Sequence, residues 1–433
     1  MEGPHLPRTL VVDVGRNLGQ LVRVCGWVQE VRASEDPQVV VLRDHTGLVR
    51  LVSRGGLLGD VIGALAPESA VQASGKVDAT PAGGVHVALE NLDVVGPALA
   101  SAPLSEASTL EERLDWRFLD LRHPRNRLIF AVQTTAERAM RAFWYEHGFT
   151  ELHSPKLKPI PNKSGTHLFA VDYFGRRAYL AQSPQFYKQM AMAAGFDRVF
   201  EIGPVFRAQP DATTRHDTEF TSVDIEMSWI RSHEDLLVLE EDLLCRVLAA
   251  VGEEHGEQLA RWFGVEVSVP RVPFPRVTID EAKKIVEATD WPVGGENDDL
   301  DAEGERRLAR HVAGEHGHEF VFVVDYPELS RPFYHMRCHE RSVATRSFDL
   351  LWKGLEITSG AQREHRYGRL VAQARSRGVP VEVIGQYLDF FKFGCPPHGG
   401  FGLGLTRMLM SMLGVGDVRE VTYLFRGPDR LTP

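Results

Sequence analysis

From Phe200 the chain alternates: Phe200, Ile202, Pro204 and Phe206 interleave with Glu201, Gly203, Val205 and Arg207, the two-residue repeat of a β-strand. A second strand is expected from Phe220 to Met227, with Phe220, Ser222, Asp224 and Glu226 on one face. About twelve residues join the two strands, where a hairpin usually needs roughly two to five. The long connection is therefore expected to serve a ligand; it carries Arg215 and His216, with Arg207 at its base. Further on, GGFGLGLTR (Gly399–Arg407) leads into an apolar helix, Leu405–Leu413, with Arg407 in its first turn. Guanidinium forks bind phosphate, and a cation and a ring can sandwich a base, so these arginines with Phe220 suit an anionic nucleotide.

Residues Leu21 to Val95 follow a different rhythm. LVRVCGWVQEV, QVVVLRDHTG, LVRLVS, AVQASGKVDA and VHVALENLDVV read as five short strands separated by turn signals. An OB-fold barrel is the common solution for five such strands, although on pattern alone any small β-domain fits. Gly96 to Leu110, rich in Ala, Ser and Pro, reads as a linker. A long helix is expected over about Arg127 to His147, and beyond it strands and helices alternate, with hairpins that imply a largely antiparallel sheet. The division predicted is a barrel over 1–97, a linker or hinge over 98–125 and a larger α+β domain over 126–433. Two charged helical stretches within about 275–317 read as solvated faces of an insertion without chemistry.

At 433 residues two domains are the natural expectation. A net charge of −10 argues against a generally basic nucleic-acid coat, so any RNA contact must come from local patches. There is no apolar run long enough to span a bilayer, and the first residues, MEGPHLPRTL, lack a signal-peptide pattern. Cys25, Cys245, Cys338 and Cys395 have no CxxC spacing and are expected as reduced, buried thiols, which fits a cytoplasmic protein without a membrane partner.

The string VFEIGPVFRA…TTRHDTEF…DIEM resembles motif 2 of class II aminoacyl-tRNA synthetases, GFGLGLTR resembles motif 3, and GFTELHSPKL (Gly148–Leu157) resembles motif 1. AQSPQFYKQM (Ala181–Met190), FDLLWKGLEITSGAQREHRYG (Phe348–Gly368) and the terminal RLTP are similar to aspartyl-tRNA synthetases of the short archaeal and eukaryotic type. The resemblance runs from about Leu21 to Pro433. It implies activation of L-aspartate with ATP and Mg²⁺, transfer to tRNA(Asp), a homodimer supported by motif 1, and a barrel that reads the anticodon. Ser183-Pro184 would start a helix placing Gln185 and Lys188 on one face. By resemblance Gln185, Lys188, Ser359, Gly360 and Arg363 would hold the aspartate, Lys188 and Arg363 gripping its side-chain carboxylate. Arg207 and Arg407 would be catalytic, acting on the α-phosphate and the distal phosphates. Arg215, His216, Phe220, Glu356 and Gly404 would complete the ATP site, and Asp349, Glu356 and Ser359 would hold the metal. Asp349 and Glu356 flank a turn at Lys353-Gly354, and pairing of Trp352 with Leu355 would make them diagonal neighbours that repel unless a cation joins them.

In the barrel, Trp27, Arg32, Arg43, Asp44 and His45 are candidates for stacking and polar contacts to bases, with a core role for Trp27 equally open. In the family type, strict anticodon discrimination goes with a Trp and a Lys where this chain has Gln29 and Ala82, which extends the expectation to tRNA(Asn). Other departures are Gln209 for a glutamate, Thr406 for an acidic residue, and Lys163 in KSGTHLF where relatives carry a glutamate near the substrate ammonium. Glu201 or another carboxylate would then have to meet that ammonium. Three further readings stay open here. An asparaginyl enzyme should lack the Lys188 and Arg363 pair, and a tRNA-independent aspartyl-adenylate-forming enzyme would need no barrel. A paralogue of weakened or altered activity rests on Lys163, Gln209 and Thr406.

Overall fold

The computed structural model describes residues 6–81, 83–159, 168–210, 213–293, 299–339 and 343–433. It divides into two compact units, Met1–Arg127 and Leu128–Pro433. In the first, β1 (Leu21–Arg32), β2 (Gln38–Arg43), β3 (Leu48–Ser53), β4 (Ala70–Ala79) and β5 (Val85–Gly96) close into a barrel of order β1-β2-β3-β5-β4, with α1 (Leu57–Gly63) between β3 and β4. Alternate residues point inward, so Val22, Val24, Val28, Val40, Leu42, Leu51 and Val87 fill its core. The stretch read as a linker is not bare. Thr109 and Glu112 form a capping box at the start of α2 (Leu110–Asp115), and α3 (Arg117–Asp120) holds a buried Arg117–Asp120 pair at 2.5 Å.

The second unit contains most of α4 (Pro124–Glu146) and an eight-stranded sheet. In chain order its elements are β6 (Thr150–Glu151), β7 (Leu157–Lys158), β8 (Ala170–Tyr173), β9 (Arg176–Leu180), α5 (Gln185–Ala193), β10 (Arg198–Phe206), β11 (Glu219–Ser228) and α6 (Glu234–Phe263). Then follow β12 (Arg276–Thr278), α7 (Ile279–Glu287), α8 (Ala302–His316), β13 (Phe320–Val324), β14 (Ser347–Trp352), β15 (Leu355–Arg363), α9 (Tyr367–Ser376), α10 (Gly385–Lys392), β16 (His398–Gly404), α11 (Leu405–Leu413) and α12 (Val418–Val421). The sheet order is β12-β13-β14-β15-β16-β11-β10-β6, antiparallel except for the pairs β12–β13 and β10–β6. The chain is therefore mixed α+β. The expected hairpin is β10–β11, with Val205 opposite Phe220 and Glu201 opposite Asp224.

Trp352 does pair with Leu355 across the Lys353-Gly354 turn, whose residues both have positive φ (53° and 79°). A register shift after Leu350 then sets Asp349 opposite Ser359 instead of diagonal to Glu356. The charged segment around 275–317 supplies the edge strand β12 and, through Ile279, Val286, Leu308 and Val312, its own apolar core against Val321 and Val323. It is only partly a solvated face. The four cysteines are unpaired and half-buried rather than buried. Among the described residues no helix is long and apolar enough to cross a membrane.

Candidate active site

A cavity of about 420 Å³ opens where β11, β15 and β16 lie side by side, with α5 and the β10–β11 connection contributing to its wall. On α5, Gln185 and Lys188 stand one turn apart and are both buried. The helix begins at Gln185 with Pro184 as its cap, one residue later than the Ser-Pro pair suggests, while Ser183 Oγ still accepts from the Gln185 N–H at 3.4 Å. Lys188 Nζ donates to Asp224 Oδ1 at 2.8 Å and to the Ile225 and Phe401 carbonyls at 3.2 and 3.1 Å. It also lies 3.5 Å from Glu226 Oε2. Arg363, at the end of β15, donates from Nε to Glu226 Oε1 at 3.0 Å, from Nη2 to the Gly400 carbonyl at 2.8 Å and from Nη1 to His335 Nε2 at 3.0 Å. Two cations thus meet on Glu226, which is 0 % exposed, and buried charge persists only when paired and bonded in this way. Gln185 Nε2 is buried without a hydrogen-bond partner among the described residues, so it can serve a polar atom inside the cavity.

The other end of the cavity is more open. Arg207 sits at the base of the hairpin with its ζ-carbon 5.1 Å from the Phe220 ring centroid, and its guanidinium makes no hydrogen bond among the described residues. Surrounding protein, and then the neighbouring Arg407, lower its pKa from the usual arginine value. Arg407 donates from Nη1 to the Glu356 carbonyl at 3.0 Å and lies 3.5 Å from the Glu356 carboxylate. His216, Gln209, Thr406 and Gly404 also line this end. The hairpin tip is tied down from the C-terminal side: Val418 N–H donates to the Thr214 carbonyl at 2.9 Å, and Thr422 Oγ1 to Asp217 Oδ2 at 3.0 Å. Arg215 pairs with Glu305 of α8, so the segment read as lacking chemistry reaches the cavity wall. Burial pushes the Glu305 carboxyl up to about 7 despite Arg215.

Two expected site residues stand elsewhere. Gly360 does not line the cavity; its α-carbon faces the core, where a Cβ would come within 2.4 Å of Phe348 Cζ. Period two explains this, because Ser359 points to the cavity and its neighbour cannot. Asp349 is likewise not a lining residue: it is buried behind Arg331, which bonds its Oδ2 and donates to Ser359 Oγ at 3.3 Å. Asp349 Oδ1 remains buried without a partner among the described residues. An orphaned carboxylate oxygen across the ladder from Ser359, with the half-exposed Glu356 on the cavity wall of the same hairpin, is a donor set that fits a hard divalent cation such as Mg²⁺. Glu201, the buried cross-strand partner of Asp224, does not line this cavity and is already engaged, accepting from Lys156 Nζ at 2.6 Å and Ser154 Oγ at 2.7 Å. Asp224, which lines the cavity, is the carboxylate available there. Lys163 lies outside the described residues.

Residues 109–426 match the family of class II tRNA synthetases (D, K and N), and residues 22–95 match the OB-fold nucleic acid binding domain. This chain belongs to the class II tRNA synthetases. It is similar to the aspartate–tRNA(Asp) ligase of Pyrococcus abyssi, 40% identical over 96% of this chain and 97% of that one. To the aspartate–tRNA(Asp/Asn) ligase of Deinococcus radiodurans it is 40% identical over 99% of both. Among solved structures it resembles asparaginyl-tRNA synthetase from Pyrococcus horikoshii complexed with asparaginyl-adenylate, with a TM-score of 0.91 at 29% identity over 99% of this chain and 100% of that one.

In the barrel of this synthetase, Trp27 is 36% exposed and Arg122 lies over its ring at 4.9 Å, so Trp27 is not a core residue. Arg32 is half-buried and bonds Glu30 at 2.8 Å, and His45 is exposed. Arg43 is buried and engages Gln29 and Glu68. Asp44, 1% exposed, is a turn anchor: burial opposes its charge, but Thr46, Val11 and Gly47 donate to it and hold its pKa low. These bonds leave Arg43 and Asp44 little to offer bases. Ala82 lies outside the described residues. The residues that sequence reasoning passed over in the active site are Glu226, Arg331, His335 and Glu305. The alternation of β11 had already set Asp224 and Glu226 on the ligand face, which was the available signal. Arg331 and His335 lie in an irregular segment whose pattern carries none.

Proposed function

We propose that this synthetase activates L-aspartate with ATP and transfers it to tRNA(Asp), and to tRNA(Asn) as well. The observation that carries the amino-acid choice is a charge imbalance. At the inner end Lys188 and Arg363 are matched by Asp224 and Glu226, and Arg207, where the inner end meets the outer one, leaves one positive charge over. Aspartate, with a net single negative charge, neutralises it; asparagine leaves it standing in a partly desolvated site, at a cost of several kcal/mol. Overall fold does not make this distinction, given the close resemblance to an asparaginyl enzyme. Asp224 would hold the substrate ammonium, and Lys188, Arg363 and Gln185 Nε2, which is unpartnered among the described residues, the side-chain carboxylate.

Arg207 would then bridge the α-carboxylate and the α-phosphate, with adenine stacked on Phe220. The carboxylate oxygen attacks the α-phosphorus in line, the bond to the bridging oxygen breaks, and pyrophosphate leaves toward Arg407, Arg215 and His216. The terminal ribose hydroxyl of tRNA next attacks the acyl carbon, its proton passing to the departing AMP or solvent. Neither step needs a protein nucleophile; positioning and charge neutralisation carry the rate. Asp349, Glu356 and Ser359 would hold Mg²⁺, which would offset the charge of the leaving pyrophosphate. Gln29, engaged by Arg43, leaves the barrel without the family's second tryptophan, which supports loading of both tRNAs. A homodimer through Gly148–Leu157 and action in the cytoplasm complete the reading.

The test is amino-acid-dependent ATP–pyrophosphate exchange with aspartate and asparagine, followed by charging of tRNA(Asp) and tRNA(Asn). Exchange with aspartate and charging of both tRNAs is expected. Exchange with asparagine, or with neither, would overturn the assignment, and charging of tRNA(Asp) alone would remove its second half.

A further inference from the structure

Arg331 follows the short turn Glu328–Ser330 and reaches the cavity wall with only 9% of its surface exposed. Its guanidinium lies on the Tyr326 ring, the ζ-carbon 3.6 Å from the centroid, so its plane is fixed from one side. From the other side it bonds Asp349 Oδ2 and donates to Ser359 Oγ at 3.3 Å. Two atoms of this arrangement have no partner among the described residues: Arg331 Nε and Asp349 Oδ1. Two of the three candidate metal ligands are therefore already joined by a cation that belongs to the chain, and one lone-pair direction of Asp349 is left open.

We infer that Arg331 is a resident counter-cation of the metal site, a positioning residue that makes divalent-cation binding depend on nucleotide. The inference rests on the reading of Asp349, Glu356 and Ser359 as that site. A cation fixed on a buried carboxylate repels a second one arriving at the same group, and in a partly desolvated wall that repulsion is weakly screened. Arg331 cannot step aside while it is stacked on Tyr326 and forked between Asp349 and Ser359. A free divalent ion thus meets an Asp349 whose charge Arg331 already offsets, with Glu356 and Asp299 the carboxylates left to draw it. Nucleotide phosphates would supply the missing charge, and Asp349, with its Oδ1 unpartnered among the described residues, would then be able to hold the ion. Arg331 meanwhile keeps Asp349 ionised and oriented.

The experiment is a Mn²⁺ titration of the full chain followed by electron paramagnetic resonance, with and without a non-hydrolysable ATP analogue. The variants are Arg331→Gln, Arg331→Lys, Asp349→Asn and the Gln/Asn double substitution, with melting curves as a check on folding. Wild type should bind Mn²⁺ at least tenfold more tightly with the analogue than without it. Arg331→Gln should gain at least tenfold in nucleotide-free Mn²⁺ affinity, adding Asp349→Asn should remove that gain, and Arg331→Lys should stay within twofold of wild type. Wild type that binds Mn²⁺ equally well without nucleotide would overturn the inference even if Arg331→Gln does not fold. So would a folded Arg331→Gln protein with unchanged or weaker binding. Equal Mn²⁺ uptake by wild type and Asp349→Asn in the presence of the analogue would instead bring down the metal-site reading, and the inference with it.

Discussion

The two ends of the cavity handle charge in opposite ways. At the inner end Lys188, Asp224, Glu226 and Arg363 are all buried and already bonded to one another. At the outer end the Arg207 guanidinium has no hydrogen bond among the described residues, and Arg407 leans mainly on carbonyls. A lattice that is satisfied at rest cannot reorganise cheaply, so it discriminates between ligands of nearly equal size. Cations left under-compensated can instead take up a large, variable anion such as a triphosphate. Selection belongs to the closed end and capture to the open one.

The harshest way to break this contrast is to remove Glu226. Glu226→Ala strands two buried cations and should cost about 3–5 kcal/mol of stability, read as a fall in melting temperature. Near wild-type melting would show that the inner end is not a coupled lattice. Lys188→Met should next reduce aspartate affinity by about two orders of magnitude while leaving binding of an ATP analogue within about twofold, both read by calorimetry. Comparable losses for both ligands would merge the two ends into one. The mirror-image change, Arg407→Ala, should weaken the analogue by about tenfold and spare aspartate.

The gentlest test uses pH. Because burial lifts the Glu305 carboxyl to about 7, it is neutral below that pH and releases Arg215, whereas above it the carboxylate competes with phosphate for the same guanidinium. ATP affinity should therefore fall a few-fold as pH rises through 7. Glu305→Gln should remove that fall and match wild type at low pH. Glu356 and Arg407 act on the same carboxyl, the first raising and the second lowering it. An unchanged pH profile in Glu305→Gln would mean that Arg215 does not serve the nucleotide.

Local pattern carried most of the architecture. Alternation in Phe200–Arg207 and Phe220–Met227 named a hairpin that the structure places at Arg198–Phe206 and Glu219–Ser228, and the apolar run named α11 at Leu405–Leu413. The five strands of the first unit followed from spacing for the same reason, each element being defined by its own residues, whereas their closure into a barrel was legible only through the family resemblance. What escaped was long-range. Glu305 is one charge among many on α8, and nothing in its neighbourhood says that Arg215, ninety positions away, will bury it. The bulge after Leu350 moved Asp349 out of the expected diagonal, and a single extra residue in a ladder leaves no trace in a pattern of period two. Gly360 was misread because a glycine in a ligand-facing string can as easily admit the neighbouring Phe348 ring as a substrate.

Behind the inner pocket, the start of β16 is held to bare main chain. A methyl group on Gly400 would sit 2.0 Å from the Ile225 carbonyl and 2.5 Å from Glu226 Oε2, and one on Gly399 would meet the Ala361 carbonyl at 2.7 Å. Descendants of this gene can therefore decorate β16 only at Gly402 or Gly404, which line the cavity and where an added methyl comes no closer than 3.2 Å to a side-chain atom. Other drift in diet has to come from α5 or β15, where changing one charge upsets its neighbours, and this makes the specificity hard to erode one mutation at a time.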